Sequence, residues 1–148
     1  MDHIAKRFGE QVWAFADQDL EARTAIGQRV AESGRRRKLL TYTELVSGID
    51  FRLPTVAGGA PLRLGVPDWG DLHRAIVGDF LGRLCMETYL QGGFMGGALV
   101  VASETRQPSD GYRRLMRFVG ALRGNSEVEF LEHWSRETNK AYDWYAEH

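Results

Sequence analysis

Gly92-Gly93-Phe94-Met95-Gly96-Gly97-Ala98-Leu99-Val100-Val101-Ala102 is the stretch that decides the fold class. Four glycines within six residues end any helix that reaches them, so the chain turns here. The apolar run Ala98 to Ala102 does not alternate with polar residues and therefore reads as a short strand covered on both faces. On its N-terminal side, Leu72, Ile76, Phe80 and Leu84 recur at helical spacing, from Asp68 or Asp71 as far as Tyr89. Gly78 and Gly82 weaken that helix by about 1 kcal/mol each relative to alanine, which signals close packing against another element. On the C-terminal side, Pro108, Ser109 and Asp110 mark a turn that ends at a helix cap. The next helix, about 111–123, places Tyr112, Leu115, Met116, Val119 and Leu122 inward and its arginines outward.

Further out, Gly124-Asn125 stops that helix, and Ser126 with Glu129 forms an S-x-x-E capping box for the last one. The stripe Phe130, Leu131, Trp134, Ala141, Tyr142 and Tyr145 reads as a terminal helix closing the core, or as a partner-binding face. Towards the N-terminus, Thr41 and Glu44 make a T-x-x-E box for a short helix ending near Gly48. Pro54, Pro61 and Pro67 fall with Gly58, Gly59 and Gly65 in a loop or loose hairpin, in which Leu62 to Val66 fits a short strand. Residues 3–33 read as helix through Ile4, Phe8, Val12, Phe15, Ala22, Ile26 and Val30, with Asp17-Gln18-Asp19 able to interrupt it and Gly34 to stop it. The class is α+β: one mostly helical domain with a small β-sheet.

With 148 residues, 43% hydrophobic and 26% charged, the chain has the composition of a globular domain able to bury its own core. Its net charge of −1 conceals a layout: +2 over residues 1–38, 0 over 39–67, −3 over 68–105, +4 over 106–124 and −4 over 125–148. No global field announces a partner, so electrostatic recognition has to be local. The single cysteine, Cys85, excludes an intrachain disulfide framework, and no CxxC or Cys/His cluster is available for zinc. A cytoplasmic location is expected, with no membrane partner, because no signal peptide and no apolar run of about 20 residues is present.

Two basic islands stand out: Arg35-Arg36-Arg37-Lys38, and Arg106 with Arg113, Arg114, Arg117 and Arg123. Arginine suits bidentate phosphate contacts, although the ordinary role of such clusters is a solvated helix face. The amphipathic pattern puts Arg113, Arg114 and Arg117 all outside, so reversing their charge is expected to spare folding. Glu129, His133 and Glu137 share one face of the last helix at four-residue spacing, but no second helix offers matching metal ligands, and a solvated polar face is expected. His73 reads as a surface or capping residue, and Cys85 as an inert, partly buried thiol. The glycine pairs precede a strand, the reverse of a phosphate cradle, and no G-x-S-x-G or H-E-x-x-H motif occurs. No metal site, cofactor or catalytic residue is assigned.

The order Thr41-Tyr42-Thr43-Glu44-Leu45-Val46, Arg74-Ala75-Ile76-Val77-Gly78 with Leu81, Leu99-Val100-Val101 and Gly111-Tyr112 resembles the winged-helix DNA-binding module of alkylguanine-DNA alkyltransferases and alkyltransferase-like proteins. Where that family carries its reactive cysteine, this chain has Gly97-Ala98-Leu99-Val100-Val101, so alkyl transfer is not implied. The chain is also similar, through Thr41-Tyr42, Glu44-Leu45, Leu81, Leu84-Cys85, Leu99-Val100-Val101, Pro108 and Gly111-Tyr112, to bacterial modules found beside restriction-type nuclease domains. The resemblance implies a winged-helix-like core over 41–112, between an N-terminal helical arm (1–34) and a closing helix (126–147). It implies that Arg74 and Arg83 face a major groove while Arg35, Arg36, Arg37, Lys38, Arg113, Arg114 and Arg117 contact phosphates. Asp68, Asp71, Asp79 and Glu87 on the same helix oppose this.

The expected function is therefore a non-catalytic protein of bacterial or phage origin that binds nucleic acid, DNA foremost, in the setting of a defence system. A protein-interaction module is the alternative: an immunity, antitoxin, inhibitor or accessory subunit using Glu129, His133, Trp134, Glu137, Tyr142 and Trp144 of the acidic, aromatic last helix. A hydrolase or nuclease is the third reading.

Overall fold

The computed structural model describes residues 2–65 and 69–148. Among the described residues, six α-helices and a two-stranded sheet follow in the order α1 (His3–Gly9), α2 (Leu20–Arg35), β1 (Leu40–Thr41), α3 (Tyr42–Val46), α4 (Asp71–Gly92), β2 (Val100–Val101), α5 (Asp110–Val119) and α6 (Glu127–Glu147). The chain is mostly helical and α+β, as its patterning predicts. β1 and β2 run parallel, with Leu40 opposite Val100 and Thr41 opposite Val101. Two residues per strand make this a clasp, not a layer.

The glycine-rich stretch forms the centre of the molecule. α4 ends at Gly93 in the left-handed conformation, Gly96–Leu99 makes one 3-10 turn, and only Val100–Val101 is strand, shorter than the expected 98–102. From Phe94 to Val101 every residue is buried, enclosed by α2, α4 and α6. A buried backbone needs partners for its polar groups, and side chains from two helices supply them. Thr88 Oγ1 accepts from Gly96 N–H at 2.9 Å, Glu137 Oε1 accepts from Met95 N–H at 2.9 Å, and the Trp134 indole donates to the Ala98 carbonyl at 2.9 Å.

Elsewhere the sequence rules hold in part. Both halves of the Thr41/Glu44 capping box are formed. The expected helix 3–33 is broken between Glu10 and Asp19, where the Asp79 carboxylate of α4 accepts from the backbone of Phe15 at 2.8 Å and Ala16 at 2.7 Å. Val12, counted in the apolar stripe, is 82% exposed. Gly34 does not stop α2; it lies within it, pressed against the Tyr145 ring so closely that a side chain would collide. Gly82 meets Trp13 in the same way, whereas Gly78 faces open space, so only one of the two α4 glycines marks a close approach. Leu62 bridges Phe51 as a single antiparallel pair instead of a strand; Val66, Pro67 and Asp68, named in the sequence expectations, lie outside the described residues.

Candidate functional site

Of the second basic island, Arg113, Arg114 and Arg117 stand on α5 and Arg123 on the corner that joins it to α6, while Arg106 lies in the turn before α5. Tyr42 of α3 anchors the start of α5, its phenol oxygen accepting from Ser109 N–H at 3.0 Å. Tyr112, Met116 and Val119 are buried, which turns the remaining face of α5 outward. Gly120, at φ 88°, ends the helix in the left-handed conformation, and the buried Leu122 pins the corner. Ser126 then caps α6 by accepting from Glu129 N–H at 3.2 Å, but Glu129 does not close the expected box. Its carboxylate accepts instead from Arg123 N–H at 3.3 Å, fastening the corner to the first turn of α6.

A recess of about 400 Å³ opens at this corner, with Asp110, Arg114, Arg117, Asn125, Ser126 and Phe130 on its walls together with Arg113. The three arginines are not equivalent. The Arg113 guanidinium lies 3.6 Å above the Phe130 ring, donates to the two Glu127 carboxylate oxygens at 3.0 and 3.3 Å, and donates to Gln107 Oε1 at 3.0 Å. Its side chain is 21% exposed, which corrects the expectation that all three point freely outward. Among the described residues, Arg114 and Arg117 have no carboxylate within 4.0 Å. Those two are the uncommitted positive charges on the recess wall; Arg123, exposed on the corner outside that wall, likewise has no carboxylate partner among the described residues.

The other predicted phosphate contacts are placed differently. Arg35 and Arg36 pair with Glu32 at 3.8 and 2.8 Å, and Arg37 pairs with Asp143 at 3.1 Å and lies over the Tyr142 ring; Lys38 is exposed. Glu127 and Asp143, which hold the two islands, are sixteen residues apart on α6. That separates them by about 24 Å along the helix and by about 160° around it. On α4, Arg74 is exposed, while Arg83 is held by Asp17 at 3.1 Å and Glu87 at 3.3 Å. Of the acidic residues counted against that helix, Asp79 and Glu87 are thus engaged within the protein. His73, half-buried, accepts from Gly65 N–H in the preceding loop at 3.4 Å, so it caps no helix.

The face of α6 expected to be solvated is buried. His133 is 2% and Glu137 5% exposed, because both fall inside the stripe that Phe130, Ala141 and Tyr145 present to the core. His133 Nε2 and the Tyr112 hydroxyl are 2.8 Å apart, and His133 Nδ1 has no partner. Burial lowers the His133 pKa below its ordinary 6.5 and pushes the Cys85 thiol up to about 12, so Cys85 carries no thiolate at neutral pH. Of the remaining residues assigned to a partner face, Trp134 is tied to Ala98, Trp144 packs on Phe94 and His148, and Tyr142 lies under Arg37. Among the described residues no group of three or more histidine, cysteine or acidic side chains is arranged to hold a metal ion, and no helix is long and apolar enough to cross a membrane.

A larger, more open hollow of about 720 Å³ between Gln18, Glu21, Gln28 and Arg52 lacks comparable chemistry. The Asp19 carboxylate beside it already accepts from the backbone of Ala22 and Arg52. No family model, curated protein or solved structure matches this chain.

Proposed function

We propose that this protein binds nucleic acid through phosphate contacts at the α5–α6 corner, with Arg114 and Arg117 as the contacting side chains. The observation that carries this reading is the pair of arginines without carboxylate partners on a concave wall beside the start of α6. The start of α6 is already capped by Ser126 and carries Glu127 and Glu129 in its first turn, so the attraction for an anion rests on the arginines. Such contacts position a nucleic acid without reading its sequence. The winged-helix resemblance belongs to this proposal: on that analogy Arg74, exposed in the first turns of α4, is the residue of that helix available to a groove, and Arg83 is not.

The test is fluorescence anisotropy of labelled DNA at several salt concentrations, with the Arg114→Glu/Arg117→Glu variant beside the wild type. Binding that weakens steeply with salt and drops at least about tenfold in the variant supports the proposal. An absence of binding at low salt, where phosphate contacts are strongest, rejects it.

A further inference from the structure

We infer that the α5–α6 recess takes one nucleotide of a single strand, its phosphate on Arg114 and Arg117 and its base stacked on Arg113. This inference rests on the nucleic-acid reading of the same corner and goes on to say which form of nucleic acid it takes.

Size and charge pattern argue for one nucleotide. At about 400 Å³ the recess is far larger than a lone phosphate needs and falls in the range of small-molecule sites, about 300–1,000 Å³. A duplex backbone, by contrast, is tracked by positive charge spread along a surface, phosphate after phosphate. Here the positive wall is short. Asp110 stands in the recess and Glu127 beside it, so the phosphates next to the one held by Arg114 and Arg117 would meet carboxylates.

The stacking surface is already assembled. Phe130 covers one face of the Arg113 guanidinium at 3.6 Å, while Glu127 and Gln107 fix the group in its plane from the edge. An arginine held flat in this way offers its opposite face to a base, since guanidinium planes stack on unpaired bases as aromatic rings do. Arg113 itself lines the recess, and 21% of its side chain remains exposed. Asn125, exposed on the wall and with no side-chain hydrogen bond among the described residues, is available to the sugar or the base edge. Stacking on this plane requires a base that has left its partner, which a duplex does not offer without unpairing.

The experiment measures anisotropy of one labelled oligonucleotide, single-stranded and annealed to its complement, with the full chain at low salt, then adds a nucleoside monophosphate or inorganic phosphate as competitor. The expected result is at least about tenfold tighter binding of the single strand, the scale of one stacked base. The nucleoside monophosphate should displace it at concentrations about tenfold below those of inorganic phosphate. Arg113→Lys, which keeps the charge and loses the flat plane, should lower single-strand affinity at least about threefold. Equal affinity for both forms, or equal displacement by the two competitors, overturns the single-nucleotide inference and leaves phosphate binding standing. No binding of either form overturns both. The competition needs no variant, so a poorly folding Arg113→Lys would not leave the question open.

Discussion

Arg113 and Arg114 are neighbours in sequence and alike in chemistry, yet the fold gives them different work. Arg113 is stacked on Phe130 and bound to Glu127 and Gln107; Arg114 is exposed. Arg113→Glu should therefore destabilise the protein by about 1–3 kcal/mol, since it removes a stacked, hydrogen-bonded cation and sets two carboxylates against each other. Arg114→Glu should stay within about 0.5 kcal/mol of wild type. Urea midpoints of the two single variants decide it, and equal midpoints would mean that the Arg113 network contributes nothing. His133 gives a second prediction at this scale. Its folded pKa lies below 6.5, so the unfolded chain binds the proton more readily. The stability that neutral His133 contributes is complete above about pH 6.5 and declines as the pH falls below it. Glu137 favours the proton and Arg136 opposes it, so burial sets the direction. Melting temperatures between about pH 8 and about pH 5 should fall less in His133→Gln, which cannot titrate, than in the wild type.

At the scale of elements, α4 shows what spacing does and does not reveal. Its existence was legible from Ile76, Phe80 and Leu84, and its glycines from the sequence alone, but which glycine meets a neighbour depends on Trp13, some seventy positions away. Gly82→Ala should cost about 1–3 kcal/mol, because a methyl group would stand 2.5 Å from the Trp13 ring. Gly78→Ala, on the same helix and facing open space, should stabilise by about 0.4–1 kcal/mol. Thermal denaturation of both variants is the check, and the opposite signs make it stringent. The break between α1 and α2 was equally out of reach, because the Asp79 carboxylate that caps it comes from α4. The burial of His133 and Glu137 was within reach: they lie between Phe130 and Ala141 on one helical stripe. Residue type outweighed position there, although a polar side chain can be buried when a turn such as Met95-Gly96 needs its hydrogen bonds.

On the scale of the whole molecule, a chain of net charge −1 gains a binding field only where its basic groups are left without partners. The sequence shows two islands of similar strength and cannot show which of them the fold neutralises. Glu32 and Asp143 form exposed ion pairs with Arg35, Arg36 and Arg37, whereas Glu127 takes only Arg113 at the other end of α6. Set about 24 Å apart and on different sides of that helix, the islands cannot act as one patch on a short ligand. Arg35→Glu/Arg36→Glu should then change the affinity for a short single-stranded oligonucleotide by less than about threefold, a screened long-range effect. Arg114→Glu/Arg117→Glu should instead remove two phosphate contacts and flatten the dependence of log affinity on log salt by about 1.4, at about 0.7 per contact. Equal losses in the two variants would mean that the ligand feels the summed charge of the molecule and that the corner holds no site of its own.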